Sequence, residues 1–223
     1  MADFAETVRS RGARSLAAFG DSITEGVGAS SPARGWAALL ARGLGVRLVN
    51  KGRSGTVLQA TPVRDGRGGS GVSRFRVDLL GDDRADGIAI LYGYNDARYT
   101  ADPARFNVAA FARDYRIVLD GLLAAGVERH DLCLGSPPYP PDAGLQLGSA
   151  GFTGQSRAGF EAYVDAVRGL AGEYGLFYAP VYEAMAACRE GSLASPDVVH
   201  PNDAGHALIA ATFASARRTV AAP

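Results

Sequence analysis

The sequence predicts an α/β fold in which helices lie on both faces of a parallel β-sheet. Two observations support this prediction. Short runs of apolar residues, each ending in glycine, proline or polar residues, recur along the chain. Between them lie longer segments whose apolar residues are spaced three and four positions apart, as on one face of a helix. Nearly continuous apolar runs are typical of strands buried on both faces, and strands that alternate with helices form parallel sheets.

The first half of the chain contains three predicted strands and one predicted helix. The strands are 15–19, 46–49 and 87–92, which lead into turns at Gly20, Asn50 and Gly93. The helix is 35–44, where Trp36, Leu39 and Leu40 share one face.

The second half contains three predicted helices and two predicted strands. In chain order these are helix 107–125, strand 131–134, helix 160–174, strand 175–179 and helix 202–217. The five strands together form one five-stranded parallel sheet. Because crossovers between parallel strands are right-handed, the helices are expected to cover both faces of that sheet.

Two segments have the composition of loops. Segment 61–73 contains Pro62 and four glycines, which indicates a flexible or tightly turned connection. Segment 136–154 contains four prolines and several glycines. A connection of that length in an α/β protein is predicted to be a lid or a pocket wall.

The length and charge of the chain restrict the classes of function. At 223 residues, the chain is expected to form a single domain covering 1–223. It has 23 Lys and Arg and 23 Asp and Glu, so its formal net charge is zero. That balance gives no attraction to nucleic acids, and no nucleic-acid partner is expected. Nothing in the sequence indicates an oligomeric state.

No segment has the length and hydrophobicity of a membrane anchor. The chain lacks an unbroken run of 18 apolar residues, and 1–15 has no apolar stretch of signal-peptide length. A cytoplasmic protein without stable membrane association is therefore expected, although a targeting segment already removed would leave no trace. Cys133 and Cys188 are too far apart to suggest a disulfide framework, and two buried free thiols are expected.

Three polar residues have the chemistry of a nucleophilic catalytic site. Ser22 follows an apolar strand and a glycine turn, while Asp197 precedes His200 by three positions near the start of the last helix. A serine needs an adjacent base, and the base needs a group that orients it. We expect Ser22 as nucleophile, His200 as base and Asp197 as its partner. The alternatives are that Asp21 or Ser22 caps a short helix through Glu25 and that Asp197 is a cap or turn residue.

At this point the chain resembles the SGNH hydrolases, also called GDSL-type esterases and lipases. The resemblance rests on four blocks that occur in the family's order: 20–26 (Gly-Asp-Ser-Ile-Thr-Glu-Gly), 50–55 (Asn-Lys-Gly-Arg-Ser-Gly), 93–96 (Gly-Tyr-Asn-Asp) and 197–202 (Asp-Val-Val-His-Pro-Asn). It implies a flavodoxin-like three-layer α/β/α sandwich and ester hydrolysis with Ser22 as nucleophile. It also implies that Gly52 and Asn95 help to form an oxyanion hole.

The chemistry of these residues agrees with that implication. Gly52 has no side chain to block its N–H, Asn95 offers a side-chain amide, and Ser22 offers its own N–H. Turn or cap roles remain the alternatives for Gly52 and Asn95. Asp21 and Asp96 are expected to be scaffold residues that bind loops around the site.

Aromatic residues cluster near the third and fourth strand ends. These are Tyr92, Tyr94, Tyr99 and Tyr139. Tyr94 and Tyr139, with Val199 beside the histidine, are candidates for lining a substrate pocket, although the tyrosines could equally be packing residues. No metal or organic cofactor is expected. The glycines at 66–71 lack the Lys-Ser/Thr of a phosphate-binding loop, which argues against nucleotide binding.

The expected function is that of a serine esterase acting through an acyl-serine on a small ester. Short acyl or acetyl esters of sugars or small alcohols are favoured, because nothing demands a long acyl channel. Thioester or lysophospholipid hydrolysis, or acyl transfer, would use the same triad. From other classes, a non-catalytic binding domain and a flavin or nucleotide binder remain as alternatives.

Overall fold

The computed structural model has one six-stranded sheet between two layers of helices. The structure describes residues 2–60, 69–98, 107–148, 151–189 and 191–219. The strands are β1 (Ser15–Gly20), β2 (Arg47–Gly52), β3 (Gly87–Leu91), β4 (Leu132–Gly135), β5 (Phe177–Ala179) and β6 (Arg217–Arg218). They lie in the order β2-β1-β3-β4-β5-β6, and all neighbours are parallel except β5 and β6.

Eight α-helices flank the sheet within the described ranges. They are α1 (Phe4–Ser10), α2 (Ser22–Glu25), α3 (Trp36–Leu44), α4 (Gly71–Leu80), α5 (Val108–Ala124), α6 (Arg157–Tyr174), α7 (Val181–Ala186) and α8 (Asp203–Ala214). Helices α1, α3 and α8 contact one another, and α5 contacts both α4 and α6. These two groups form the two helical layers, so the predicted α/β sandwich is confirmed.

The interior explains why the apolar runs are so continuous. Every residue of β1, β3, β4 and β5 is buried, because helices cover both faces of these strands. β2, at one edge, is partly exposed. Among the helices in the described ranges, none combines the length and hydrophobicity that crossing a membrane requires.

The sheet differs from the prediction at its last strand. Five parallel strands are present as expected, but the two-residue β6 adds an antiparallel edge to β5. The last helix was expected to continue to 217, whereas it ends at Ala214. Two exposed arginines leave no apolar signal in the sequence, so the edge strand could not be distinguished from a helix end.

Short elements account for the remaining differences. Helices α1, α4 and α7 were not predicted. Helix α4 begins inside the predicted loop 61–73, of which 61–68 lies outside the described residues. The described part of 136–154 contains one 3-10 turn (Gly144–Gln146) and otherwise irregular structure. Cys133 is buried as expected, but Cys188 is exposed after α7, so that part of the prediction was wrong.

Candidate active site

The carboxyl ends of three adjacent strands meet at one edge of the sheet. Gly20, the last residue of β1, pairs with Gly52 of β2 on one side and Leu91 of β3 on the other. Ser22 follows β1 by two residues, and Asn95 follows β3 by four. The topology therefore places the segments of Ser22, Gly52 and Asn95 beside one another, where open parallel sheets bind ligands.

Ser22 is the first residue of the short helix α2, and it is Asp21 that caps this helix. The Asp21 side chain accepts a hydrogen bond from Ile23 N–H at 2.9 Å. A Cβ built on Gly20 would lie 2.8 Å from Thr24 Cβ, so the tight turn from strand to helix requires a glycine there. Of the two residues considered as the cap, Asp21 fills that role, and the Ser22 hydroxyl remains available.

The Ser22 hydroxyl, the His200 ring and the Asp197 carboxylate form a hydrogen-bonded chain. Nε2 of His200 lies 2.9 Å from Oγ of Ser22, and Nδ1 lies 2.6 Å from Oδ2 of Asp197. A carboxylate can only accept hydrogen bonds, so Nδ1 carries the ring proton and Nε2 accepts the proton of the serine. The two distant segments predicted to cooperate thus come into direct contact.

Asp197 also organises the backbone that carries His200. Its Oδ1 accepts hydrogen bonds from the N–H groups of Val199 and His200, both at 2.9 Å. Partial burial acts to raise the pKa of Asp197, but the hydrogen bonds from the His200 ring and these two N–H groups outweigh it and lower that pKa. Asp197 therefore does both: it stabilises this turn, which was its alternative role, and it binds the His200 ring.

The loop between Asp197 and His200 is strained. Val198 has a φ of +54°, a left-handed conformation that is unfavourable for a β-branched residue. The His200 carbonyl is anchored by two donors from Ser195, its N–H at 2.8 Å and its Oγ at 2.7 Å. Asn202 then caps helix α8 through Gly205 N–H. Fixed contacts on both sides of the strained residue hold the imidazole toward Ser22.

The predicted oxyanion donors differ in their geometry. The N–H of Gly52 donates to Oδ1 of Asn50 at 2.8 Å. A Cβ on Gly52 would lie 2.6 Å from Glu25 Cα, so this glycine allows β2 to pack against helix α2. The structure therefore does not leave the Gly52 N–H free for an oxyanion, contrary to the expectation for this residue.

Gly55, three residues later in the same block, has the geometry that Gly52 lacks. Its φ of +76° is that of the third residue of a type II turn from Arg53 to Thr56, closed by the bond from Thr56 N to Arg53 O at 3.3 Å. In the described part of the chain, no acceptor binds the Gly55 N–H. Asn95 is buried and one of its Nδ2 protons goes to Thr56 O at 3.0 Å, which leaves the second amide proton available beside this turn.

Two buried carboxyl groups support the loops around the site, as expected. Burial, opposed by the bond from Ile23 N–H, raises the pKa of Asp21 to about 7. Burial likewise raises the pKa of Asp96 to about 6, although Asp96 accepts backbone N–H groups from Leu58 and Gln59 at 3.0 and 2.9 Å. These contacts connect the segment after β2 to the segment after β3.

A cleft lies beside His200, which forms part of its wall. It encloses about 370 Å³ including its open mouth. Its walls are formed by Tyr139, Val199 and apolar side chains from α7 and the loops around it, and Arg189 stands at its rim. Tyr139 and Val199, which were predicted to line a substrate pocket, thus line this cleft together with His200.

Tyr94 does not line this cleft. Its ring is buried against Phe160 and beneath the guanidinium of Arg98, so it belongs to the core. Tyr92 is also buried, and Tyr99 lies outside the described residues. Within the described ranges, no group of three or more His, Cys, Asp or Glu side chains is placed to hold a metal ion.

Comparison with known proteins gives one matching family and a common fold. The model of the GDSL-like lipase/acylhydrolase family matches residues 18–208. Among curated protein sequences, none shows significant similarity to this chain.

Three solved structures illustrate the fold. A lipase/acylhydrolase from Enterococcus faecalis has a TM-score of 0.69 at 21% identity, covering 90% of this chain and 93% of its own. An alpha/beta hydrolase enzyme from the metagenome of Lake Arreo has a TM-score of 0.65 at 25% identity, with coverages of 90% and 93%. A carbohydrate acetylesterase from Sinorhizobium meliloti has a TM-score of 0.68 at 17% identity, with coverages of 90% and 96%.

Proposed function

The chain belongs to the GDSL-like lipase/acylhydrolase family, also known as the SGNH hydrolases, and from this membership we propose that it hydrolyses carboxylic esters through an acyl-serine intermediate. The observation that carries the proposal is the contact of Ser22 Oγ with His200 Nε2 at 2.9 Å, with Asp197 at 2.6 Å on the other ring nitrogen. A nucleophile, a base and an orienting carboxylate at hydrogen-bond distance are what nucleophilic catalysis at serine requires.

Acylation begins when Ser22 Oγ attacks the ester carbonyl carbon. The hydroxyl proton moves to Nε2 of His200, and the Asp197 carboxylate stabilises the imidazolium that forms. The tetrahedral intermediate then breaks the bond to the alkoxy oxygen, and His200 gives its proton to the leaving alcohol. In deacylation, water attacks the acyl-serine while His200 accepts its proton, and collapse releases the acid and restores the Ser22 hydroxyl.

The negative oxygen of each intermediate needs donors that are already in place. Three are proposed: the N–H of Ser22, the free Nδ2 proton of Asn95 and the N–H of Gly55. No acceptor in the described residues binds the Ser22 N–H, which lies in the first turn of helix α2, where backbone N–H groups have no partner within the helix. Gly55 replaces Gly52 in this set because the Gly52 N–H is already bound to Asn50.

The favoured substrates are short acyl esters, including acetyl groups on sugars or small alcohols. Support comes from the cleft beside His200, which is small, is open at its mouth and is lined mainly by apolar side chains together with Tyr139 and Arg189. The carbohydrate acetylesterase among the similar structures makes acetylated sugars a sensible part of a substrate screen. Hydrolysis of thioesters or lysophospholipids would use the same triad with a different leaving group. Acyl transfer would use it with an alcohol in place of water.

The proposal is tested by kinetics with nitrophenyl esters of graded chain length and with acetylated sugars. We expect turnover that falls as the acyl chain lengthens. Ser22→Ala and His200→Ala should each lower kcat by about 10⁶-fold, because the triad acts as a unit. Ser10→Ala, at an exposed serine at the end of α1, is the matched control and should retain parental turnover.

A fluorophosphonate probe separates this proposal from a non-catalytic binding domain. The parent should be labelled once, at Ser22, and Ser22→Ala should not be labelled. A folded parent that neither turns over any ester nor reacts with the probe would overturn the proposal and favour a binding domain.

A further inference from the structure

An arginine is buried directly behind the candidate active site. Arg74 lies in helix α4 and is 5% exposed. No local pattern in the sequence predicts helix α4 or a role for Arg74. A buried cation is unusual in a protein interior, where it depends on partners for its charge and its donors. Among the described residues, Nη1 and Nη2 of Arg74 find acceptors, whereas Nε does not.

The guanidinium of Arg74 joins the ends of three strands. Nη2 donates to the carbonyl of Gly20, the last residue of β1, at 2.8 Å. Nη1 donates to the carbonyl of Lys51, one residue before the end of β2, at 2.9 Å. Nη2 also donates to the hydroxyl of Tyr92, the residue that follows β3, at 2.5 Å. One planar group thus contacts all three segments that lead into the site.

The charge of Arg74 is balanced locally. Asp78, one turn further along α4, pairs with Nη1, and the ring of Phe19 lies 4.3 Å from the guanidinium carbon. A buried ion pair is weak support for stability, since desolvation offsets most of the attraction. What matters is therefore the planar guanidinium, whose donors point in fixed directions and can bind several acceptors at once; a lysine lacks this geometry.

The contact with Tyr92 continues toward the proposed oxyanion hole. The Tyr92 hydroxyl lies 3.0 Å from Oγ1 of Thr56, and the Thr56 carbonyl accepts the amide of Asn95 at 3.0 Å. Thr56 directly follows Gly55. If the Arg74 contacts were lost, both Gly55 and Asn95 would therefore shift.

We propose that Arg74 is a positioning residue that holds the oxyanion donors in register by binding the three strand ends together. Arg74 touches no reacting atom. The inference rests on the proposed esterase function, since it concerns donors used only during that reaction. Its loss should weaken transition-state binding more than substrate binding, so kcat should fall while KM changes little.

The experiment compares Arg74→Ala, Arg74→Lys and Tyr92→Phe with the parent. The Tyr92→Phe variant keeps the ring and removes only the hydroxyl that receives the arginine. Arg76→Ala is the matched control, because Arg76 lies on the same helix, is exposed and has its guanidinium over the ring of the adjacent Phe75. Initial rates on a short nitrophenyl ester are divided by the concentration of active sites titrated with a fluorophosphonate, which removes the effect of unfolded protein.

We expect Arg74→Ala to lower kcat by about 10²-fold, as displacements near 1 Å do, with KM within threefold of the parent. Arg74→Lys should recover only part of the loss, and millimolar guanidinium should partly restore kcat in Arg74→Ala without affecting the parent. Tyr92→Phe should lower kcat by about tenfold. If Arg74→Ala does not fold, the kcat of Tyr92→Phe tests the proposal in its place.

A role in folding alone gives a different result. Melting temperatures would fall while kcat per titrated site stayed within twofold of the parent in Arg74→Ala and Tyr92→Phe, and this would overturn the inference. An inactive parent would instead reject the esterase proposal, so the two failures are distinguishable.

Discussion

Gly28 lies directly against the loop that carries His200. A Cβ built on Gly28 would lie 2.8 Å from His200 Cβ and 2.7 Å from Ser195 Oγ, and the φ of Gly28 is +93°. The turn that follows helix α2 therefore packs against the His200 loop, and at Gly28 it does so with backbone atoms only. This close approach, which only a glycine permits, fixes how near His200 comes to Ser22.

Replacing Gly28 with alanine should separate Ser22 from His200. The new methyl group has no space, so the His200 loop must move, and we expect kcat to fall by about 10²-fold. Gly26→Ala is a matched control, because Gly26 has a φ of +108° but its Cβ would meet only Gly35 Cα at 3.8 Å. Both variants carry similar backbone strain, of about 1–2 kcal/mol. Equal losses of kcat per titrated site in the two variants would contradict the prediction.

Removing the Asn95 amide should affect the transition state selectively. Asn95→Ala is expected to lower kcat by about 10²–10³-fold with little change in KM, since one oxyanion donor is lost. Asn50→Ala provides the comparison, because it removes a neighbouring amide that binds Thr24 O and the Gly52 N–H. If steady-state kinetics show a raised KM and an unchanged kcat for Asn95→Ala, the amide binds substrate rather than the oxyanion.

A backbone ester can distinguish Gly55 from Gly52 as an oxyanion donor. Incorporating glycolic acid at either position replaces the N–H with an oxygen and leaves the side chains unchanged. We expect about 10²–10³-fold lower kcat for the ester at 55. The ester at 52 loses only the bond to Asn50 and should stay within tenfold of the parent, as measured per titrated site. The reverse order of losses would restore the original prediction for Gly52.

Stability should depend on pH through the buried carboxyl of Asp21. Its pKa is raised from 3.8 to about 7, so between these values the folded chain holds a proton that the unfolded chain has released. The free energy of unfolding therefore falls as pH rises through this window, by up to about 1.4 kcal/mol per pH unit for one group.

Asp21→Asn keeps an oxygen that can accept the Ile23 N–H but cannot titrate. Urea unfolding between pH 4 and 8 should show a smaller decline of stability for this variant than for the parent. Asp82→Asn removes the same charge at an exposed position and should leave the decline unchanged. Parallel curves for the parent and Asp21→Asn would show that the carboxyl does not titrate in this range.

The sheet and the contact of Ser22 with His200 and Asp197 could be predicted because most of their signals are local. Strands buried on both faces require continuous apolar runs, so all five parallel strands were visible in the sequence. Asp197 and His200 are three residues apart, a spacing that already brings a carboxylate to an imidazole. The order of the strands and a topology that gathers their carboxyl ends then place Ser22 beside them.

Other features depend on contacts that no local pattern shows. Gly52 and Gly55 stand in one block, and only the turn geometry shows which N–H is unoccupied. Tyr94 and Tyr139 each follow the end of a strand by a few residues, yet one is in the core and the other in the cleft. Arg74 resembles its exposed neighbour Arg76, and its proposed role follows from three acceptors at or just after the ends of strands distant in sequence.

His206 predicts a second pH dependence, of opposite sign to that of Asp21. The ring is fully buried, with Nε2 at 3.1 Å from Val27 O and Nδ1 accepting from Trp36 N–H at 3.2 Å. Since Val27 O can only accept, the neutral ring carries its proton on Nε2. If Nδ1 were protonated, its N–H would face the N–H of Trp36, and neither group can accept a hydrogen bond. Burial, opposed by the bond to Val27 O and by Asp203, lowers the pKa of His206 below 6.5.

The folded chain therefore binds fewer protons at His206 than the unfolded chain does at pH values below about 6.5. Its stabilising contribution is complete above that pH and is lost as the solution is acidified, by up to about 1.4 kcal/mol per pH unit. His206→Gln should remove this loss, so the difference in unfolding free energy between parent and variant should shrink from pH 8 to pH 5. The effect of Asp21 cancels in this difference because both proteins contain it. A difference between the parent and His206→Gln that stays constant from pH 8 to pH 5 would refute the prediction.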